Sequence, residues 1–400
     1  MKNFCIKIHM RKLINGLGIN IVLLGIVSLL TDVSSEMILA ILPFFIASLG
    51  GAGMAVGLIG GIGDSVASLL KVFSGYWSDR LRKRKPFVFF GYCLSSVAKL
   101  FFPFVLNWQQ LLIFRPIERV GKGLRDAPRD ALIAASSKTE VRGKAFGFHR
   151  AMDSSGAFLG VFLAFVLFWF LKLEFKHILL IAALVSFLAL LPFPWVRETV
   201  SGANFAGESS FPISLRSLPL PFRRYIVTVV LFSLGNFTYM FFVLRARDVF
   251  QPLFPSRIYT AIPILLYCWF NIVYALFSLP GGMLSDRIGR KKTLRLGYFV
   301  YALSCLGFAL TRTLASFVIL FALYGISFAL VEANQRAFAS DFVGENLRGT
   351  ALGTLHTAIS ISTLPASFFA GILWNYNPTL TFFYGAVLAL VAAITITFIK

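Results

Sequence analysis

The sequence predicts an all-α integral membrane protein in which twelve transmembrane helices form two six-helix bundles related by pseudo-two-fold symmetry. Its composition, the placement of its cations and an internal repeat support this prediction. Of the 400 residues, 58% are hydrophobic and only 14% are charged. A soluble domain carries roughly a quarter charged residues, so this chain lacks the polar surface that a soluble fold needs.

Twelve apolar segments can be marked along the chain. Each is long enough to cross a hydrocarbon core about 30 Å thick at about 1.5 Å per residue. They lie near 18–48, 53–78, 86–106, 110–136, 143–170, 177–195, 225–250, 258–284, 293–311, 315–340, 348–374 and 378–399.

The cations are unevenly distributed between the two faces of this arrangement. If the N-terminus is cytoplasmic, 23 of the 38 Lys and Arg residues lie in cytoplasmic loops and tails, six lie on the opposite face and nine lie inside helices. Positive charge collects on the cytoplasmic side of membrane proteins. We therefore expect a multi-pass protein of the plasma (inner) membrane, with both termini cytoplasmic and the lipid bilayer as its surroundings. The net charge of +21 then requires no nucleic-acid partner.

An internal repeat divides the chain into halves. The motif Gly-x-x-x-Asp-Arg occurs twice, at an offset of 286 − 79 = 207, and two further matches recur at an offset of 206. We expect an N-terminal bundle over 1–196, a Gly/Pro/Ser-rich cytoplasmic linker over 197–222 and a C-terminal bundle over 223–400. Parallel repeats that meet at the bilayer midplane are typical of rocking transporters. The matches are Gly75 to Arg80 with Gly282 to Arg287, Gly91-Tyr92 with Gly297-Tyr298, and Arg142-Gly143-x-Ala145 with Arg348-Gly349-x-Ala351.

The paired Gly-x-x-x-Asp-Arg loops resemble the signature of the major facilitator superfamily (MFS) between helices 2 and 3 and between helices 8 and 9. The second copy continues as Gly289-Arg290-Lys291 and matches fully, whereas the first has Arg82 where the family has glycine. The resemblance implies the MFS fold and a gating latch that holds the cytoplasmic side shut, in which Asp79 faces Arg348 and Asp286 faces Arg142. The alternative is that these charges only set topology. The latch residues are Gly75, Asp79, Arg80, Gly282, Asp286, Arg287, Arg290, Arg142 and Arg348.

Helix 1 carries two acids, Asp32 and Glu36, four residues apart and therefore on one face. Two carboxylates this close in a low dielectric resist being charged together, so we expect this site to bind a proton. The alternative is a pair of permanently salt-bridged acids that hold helices together.

Helix 4 carries a stripe of cations. In it, Arg119 followed by Gly123 resembles the family's helix-4 motif, and this resemblance implies that Arg119 takes part in proton transfer. The end of the helix, from Arg125 to Asp130, is expected to be solvated and self-paired. The stripe is Arg115, Arg119, Lys122 and Arg129.

Helix 5 places Asp153 within reach of the helix 1 acids, and its Gly156-x-x-x-Gly160 permits tight packing against a neighbour. The expected proton-coupling residues are therefore Asp32, Glu36, Arg119 and Asp153. Ionisable residues at bilayer depth are functional candidates by default, although the pair Glu332 and Arg336 could be purely structural. The expected substrate-cavity residues are Arg115, Lys122, Arg150, Asn236, Tyr239, Asn271, Glu332 and Arg336.

These observations predict a secondary transporter that moves a small organic solute by alternating access, with proton-coupled export (antiport) as the leading interpretation. An importer or an organic-anion carrier of the same fold is the alternative within transport, and a non-transporting sensor or scaffold is the alternative outside it. We find no enzyme motif and no metal-ligand spacing. No enzymatic activity, metal or cofactor is expected, and the protein is expected to act as a monomer on its solute and on protons.

Overall fold

The computed structural model describes residues 18–81, 83–137, 141–199, 218–344 and 347–399. Within these ranges the chain forms thirteen α-helices and no β-strand. The helices are α1 (Ile19–Ser48), α2 (Gly53–Leu81), α3 (Lys85–Phe101), α4 (Trp108–Ala135), α5 (Arg142–Trp169), α6 (Phe175–Leu188), α7 (Leu220–Gly235), α8 (Met240–Phe250), α9 (Ser256–Ile288), α10 (Arg290–Leu310), α11 (Leu314–Asp341), α12 (Arg348–Tyr376) and α13 (Pro378–Thr395).

Eleven helical segments of the described chain are long and apolar enough to cross a membrane, with α7 and α8 counted together as Leu220–Phe250. The remaining predicted crossing is α4, which has 28 residues but carries the cation stripe and its partner acids. Helices α1 to α6 pack mainly on one another, as do α7 to α13, and the two sets meet where α2 lies along α12 and α5 lies along α9. The predicted all-α membrane fold of two six-helix bundles is confirmed. Most of the linker, 200–217, lies outside the described residues.

The two halves touch at one end of the molecule and separate at the other. We call the end where α1 passes into α2 the closed end, and the end where α2 passes into α3 the motif end. At the closed end the Tyr239 hydroxyl donates to the Leu39 carbonyl oxygen at 2.7 Å, and an Arg257 nitrogen donates to the Phe168 carbonyl oxygen at 2.9 Å. At the motif end, a Cβ added at Gly147 or at Gly353 would meet no atom within 4 Å.

A glycine pair brings α1 and α5 into close contact. A Cβ added at Gly156 would lie 2.6 Å from the Leu29 carbonyl oxygen, and one added at Gly160 would lie 2.9 Å from the Glu36 Cβ. The expected tight packing is confirmed, and the neighbour is the helix that carries both acids.

The seventh crossing is interrupted between α7 and α8, at residues 236–239. Backbone groups freed by such a break must find partners, because no water is available in the bilayer core. The Tyr384 hydroxyl donates to the Leu234 carbonyl oxygen at 2.7 Å, and the Tyr301 hydroxyl donates to the Gly235 carbonyl oxygen at 3.0 Å. The Thr238 N–H donates to the Ser367 hydroxyl at 3.1 Å. The break is therefore held by side chains from α10, α12 and α13.

Candidate functional site

A large cavity lies between the two halves and consists of two adjoining chambers. The acid chamber, bounded by α1, α4, α5, α9 and α11, has a volume of about 800 Å³. The aromatic chamber, bounded mainly by α2, α4, α7, α11 and α12, has a volume of about 530 Å³. Both volumes are in the range of small-molecule sites. The chambers share the lining residues Lys71, Lys122, Asp126, Glu332 and Arg336.

Most charges that line the cavity are paired. The Asp64 carboxylate lies 3.3 Å from the Arg119 guanidinium, and the Asp130 carboxylate lies 3.1 Å from that of Arg129. Glu332 and Arg336, one turn apart on α11, are 2.7 Å apart. The Asp126 carboxylate is 4.0 Å from each of its neighbours Arg125 and Arg129. Paired charges of this kind can remain at bilayer depth without a bound solute.

Asp32 and Glu36 are exceptions to this pairing. Within the part of the chain that the structure describes, neither carboxylate has a Lys, Arg or His nitrogen within 4.0 Å. Both line the acid chamber. Glu36 accepts a hydrogen bond of 3.1 Å from the Tyr267 hydroxyl, which belongs to the opposite half. Two acids without a close counter-ion thus face the cavity.

The cations Lys71 and Lys122 likewise lack a close partner of opposite charge. Each is half-buried and lines both chambers. Among the described residues, no carboxylate oxygen lies within 4.0 Å of either ammonium group. Two cations at bilayer depth therefore stand beside the cavity without a close counter-ion.

Asp153 contacts α1 directly. Its carboxylate accepts from the Ser28 hydroxyl at 2.5 Å and lies 3.4 Å from the buried His149 Nδ1. Because Ser28 is one turn from Asp32 on α1, the structure brings Asp153 next to the acid pair, as the sequence suggested.

Arg119 lies on the cavity but faces a different acid. Its guanidinium contacts Asp64 and, at 3.6 Å, Glu118, and it is not within 4.0 Å of Asp32 or Glu36. Arg115 is buried, is bonded to Glu118 at 2.8 Å, and is not among the residues that line either chamber.

The second half contributes mostly hydrogen-bonding groups. An Arg150 nitrogen donates to the Tyr274 hydroxyl at 2.8 Å, and that hydroxyl in turn donates to Glu332. These contacts form a chain from Arg150 of the first half through Tyr274 and Glu332 to Arg336. Asn271 lines the acid chamber and donates to the Tyr267 carbonyl oxygen at 3.0 Å.

The break in the seventh crossing positions two more predicted residues. Asn236 lines the aromatic chamber, and its buried Oδ1 has no hydrogen-bond partner among the residues that the structure describes. Tyr239 stacks on Tyr267 with ring centroids 4.9 Å apart and bonds to Leu39. Tyr239 therefore joins the halves at the closed end, outside the residues that line the chambers.

The latch residues are only partly described. The side chains of Asp79 and Arg348 lie outside the described part of the chain. Asp286 and Arg142 are exposed and do not pair within 4.0 Å, and a Cβ added at Gly282 would meet no atom within 4 Å. The predicted contact between Asp286 and Arg142 is thus not made in this conformation, in which the motif end is open.

The other latch residues face their own bundle or open space. Arg290 donates to the Ala337 carbonyl oxygen and to Asp341, both at 2.7 Å, and so joins α10 to α11. A Cβ added at Gly75 would lie 3.3 Å from Ala127 of α4. Arg80 and Arg287 are exposed.

The prediction for the environment of Arg125 was wrong. We expected it at a solvated helix end, but it is buried, donates to the Ser95 hydroxyl at 2.8 Å and lies 4.3 Å above the Tyr92 ring. Tyr274 was not among the predicted site residues, nor was His356, which lines the aromatic chamber. Spacing along one helix gives no signal for such contacts, because the partners belong to other helices.

Comparisons with known proteins agree with this architecture. The family model described as Major Facilitator Superfamily matches residues 24–262 and 246–400. An uncharacterized MFS-type transporter of Methanocaldococcus jannaschii is 44% identical over 380 residues, covering 95% of this chain and 94% of the relative. Multidrug resistance protein 2 of Bacillus subtilis is 31% identical over 130 residues, about a third of each chain.

Among solved structures, a mutant of the nucleoside transporter NupG superposes with a TM-score of 0.82 at 16% identity, covering 94% of this chain and 99% of the other. At that identity the likeness shows the fold alone. Taken with the family match along the whole chain, the helical halves and the cavity between them identify this multi-pass membrane protein as a transporter of the major facilitator superfamily.

Proposed function

We propose that the protein is a proton-coupled antiporter that exports a small organic solute by alternating access. The observation that carries this proposal is the pair Asp32 and Glu36, whose carboxylates line the acid chamber without a cation within 4.0 Å among the described residues. An acid held at bilayer depth with no counter-ion binds a proton or a cationic group. Competition between proton and solute for the same acids produces exchange.

The remaining residues have supporting roles in this mechanism. Asp64 and Glu118 hold the Arg119 guanidinium, so the acid pair stays available for protons. Asp153 would pass protons between His149 and the acid pair, since it contacts both His149 and α1. Closure of the motif end would bring Asp286 against Arg142.

We also propose how the protein is oriented in the membrane and in which direction it moves the solute. The excess of cations at the motif end favours a cytoplasmic location for that end, in the inner membrane, with both termini cytoplasmic. The partial match to a multidrug resistance protein supports export. We propose that the monomer is the transporting unit, because the cavity lies between the two halves of a single chain.

The test uses purified protein in liposomes that contain the pH-sensitive dye pyranine. The liposomes are loaded with uridine, D-xylose, L-phenylalanine or ethidium and then diluted, so that the solute leaves down its gradient. Antiport predicts that the lumen becomes acidic as solute leaves, whatever the orientation of the protein. Symport would make the lumen alkaline, and efflux without a pH change would indicate a uniporter.

Matched variants assign the proton site. Asp32→Asn and Glu36→Gln should each abolish the acidification, whereas Glu174→Gln, which changes an exposed acid at the start of α6, should retain it. Alkalinisation, uncoupled efflux or failure of all four solutes to move protons would contradict the proposal.

A further inference from the structure

Two acids and two lysines that face the cavity have no oppositely charged side chain within 4.0 Å among the described residues. Asp32 and Glu36 are the negative pair and Lys71 and Lys122 the positive pair. Most other ionised groups of the lining are paired with one another, while Arg150 is bonded to Tyr274 and Asp153 to Ser28 and His149. Uncompensated charges at bilayer depth are costly and mark binding sites. A cavity with one such pair of each sign is complementary to a ligand with one group of each sign.

The four groups lie at a similar depth. At about 1.5 Å of helix per residue, Glu36 lies about 18 Å from the closed end of α1 and Asp32 about 24 Å. By the same rise, Lys122 lies about 21 Å from the closed end of α4 and Lys71 about 27 Å from that of α2. The depths of the acids and the cations overlap, so a single small molecule can reach both pairs.

The acid pair and the cation pair also differ in which chamber they line. Asp32 and Glu36 line only the acid chamber, whereas Lys71 and Lys122 lie where the two chambers join. A bound molecule would therefore place its cationic group in the acid chamber and its anionic group at the junction. Its remaining part would extend into the aromatic chamber.

Part of the aromatic chamber is apolar and can contact the body of a solute, while charged and polar side chains line the rest. Phe232, Phe328, Val331 and Ile359 line it. Among these groups, Asn236 has an Oδ1 that is buried and has no donor. An unsatisfied buried acceptor costs free energy that a donor on the ligand would recover.

We propose that the solute is a zwitterion of amino-acid size. Its cationic group binds to Asp32 and Glu36, its anionic group binds to Lys71 and Lys122, and its apolar body occupies the aromatic chamber. This inference rests on the proposed antiport, because the cationic group and the proton then compete for the same carboxylates. A solute with only one charge would leave one of the two pairs uncompensated.

The test measures equilibrium binding to the purified full-length protein by isothermal titration calorimetry, with no proton gradient. The probes share a phenyl ring and differ in charge: L-phenylalanine is a zwitterion, phenethylamine a cation and 3-phenylpropanoate an anion. We expect L-phenylalanine to bind at least tenfold more tightly than either of the others. No measurable binding of L-phenylalanine, or equal or tighter binding of a singly charged probe, would overturn the proposal.

Variants then separate the two charge sites. Lys122→Gln should weaken L-phenylalanine binding at least tenfold and leave phenethylamine binding unchanged, whereas Asp32→Asn should weaken L-phenylalanine binding and leave 3-phenylpropanoate binding unchanged. Lys122→Arg should retain L-phenylalanine binding, and Lys176→Gln, at an exposed lysine of α6, should change nothing. An equal loss of all three probes in Lys122→Gln would indicate a structural role and overturn the proposal.

The binding and liposome experiments can fail separately. The predicted charge selectivity without any lumenal pH change would contradict the antiport and leave the zwitterion site standing. Solute-driven acidification by a protein that binds all three probes equally would contradict the zwitterion site and leave the antiport standing.

Discussion

Gly160 of α5 lies so close to Glu36 of α1 that a methyl group at residue 160 would come within 2.9 Å of the Glu36 Cβ. One turn away, a methyl group at Gly156 would lie 3.0 Å from the Asp32 Cβ. The two glycines therefore set the distance between α5 and the helix face that carries the acid pair.

Gly160→Leu should separate α1 from α5 and displace Glu36. Overpacking of a close helix contact costs about 1–3 kcal/mol, so we expect a lower melting temperature and a loss of proton-coupled transport. Gly147→Ala, on the same helix, meets no atom within 4 Å and should leave both properties unchanged. A Gly160→Leu protein with wild-type melting and coupling would contradict the role given to this contact.

Tyr274→Phe should disconnect Arg150 from Glu332. The missing hydroxyl removes the hydrogen bond between the two halves, which is worth about 1.5–3 kcal/mol because its donor, Arg150, is charged. We expect the halves to separate more readily at the motif end. The measurement is the rate at which maleimide labels Ser278→Cys, a cavity residue, in a background without native cysteines.

The control for this prediction is a double-mutant cycle. If Arg150 acts through Tyr274, then adding Arg150→Gln to Tyr274→Phe should have little further effect on the labelling rate. Additive effects would mean that the two residues act independently.

Arg119→Ala should abolish solute-driven proton movement, because Asp64 would lose its cation and compete with the acid pair for protons, and should leave a folded protein with reduced stability. Removal of one partner from a buried charge pair costs about 3–5 kcal/mol. Among the described residues, the buried Glu118 would then keep only Arg115 within 4.0 Å. Asp64 has a side chain that is 44% exposed, so Asp64→Asn should cost about 1 kcal/mol. Thermal unfolding measures the stability and the pyranine assay measures the proton movement. Wild-type coupling in Arg119→Ala would refute the predicted role of Arg119 in proton coupling.

Gly57→Leu should hold the two halves apart at the closed end. A side chain at this position would overlap the Ser367 backbone of α12, so α2 and α12 would have to move apart. Spin labels at Leu106 and Leu253, which are exposed on opposite halves at this end, should report a longer distance by double electron–electron resonance. Gly353→Ala, with no neighbour within 4 Å, should leave that distance unchanged.

Sequence patterns within single helices were informative about the site. The spacing of Asp32 and Glu36 predicts a shared face, and both line the acid chamber. The pair Gly156 and Gly160 predicts close packing, which the structure has. In each case the helical period alone decides which side chains share a face.

Contacts between helices could not be predicted in the same way. The spacing within α4 shows which way Arg119 points but not which helix it meets, and its partner Asp64 is 119 − 64 = 55 residues earlier. The break after Gly235 depends on Tyr301 and Tyr384. Nothing near residue 235 in the sequence indicates that these distant hydroxyls stabilise it.

The four uncompensated charges all belong to α1, α2 and α4, whereas the lining of the aromatic chamber comes largely from α7, α11 and α12. In the proposed mechanism, the first half therefore binds the proton and the charged groups of the solute, while the second half provides most of the surface around the body of the solute. Substitutions at Phe328 or Asn236 would alter which solutes fit and leave the exchange with protons intact. Under the proposed mechanism, a chain with a changed second half could carry a different solute and still use the same energy source.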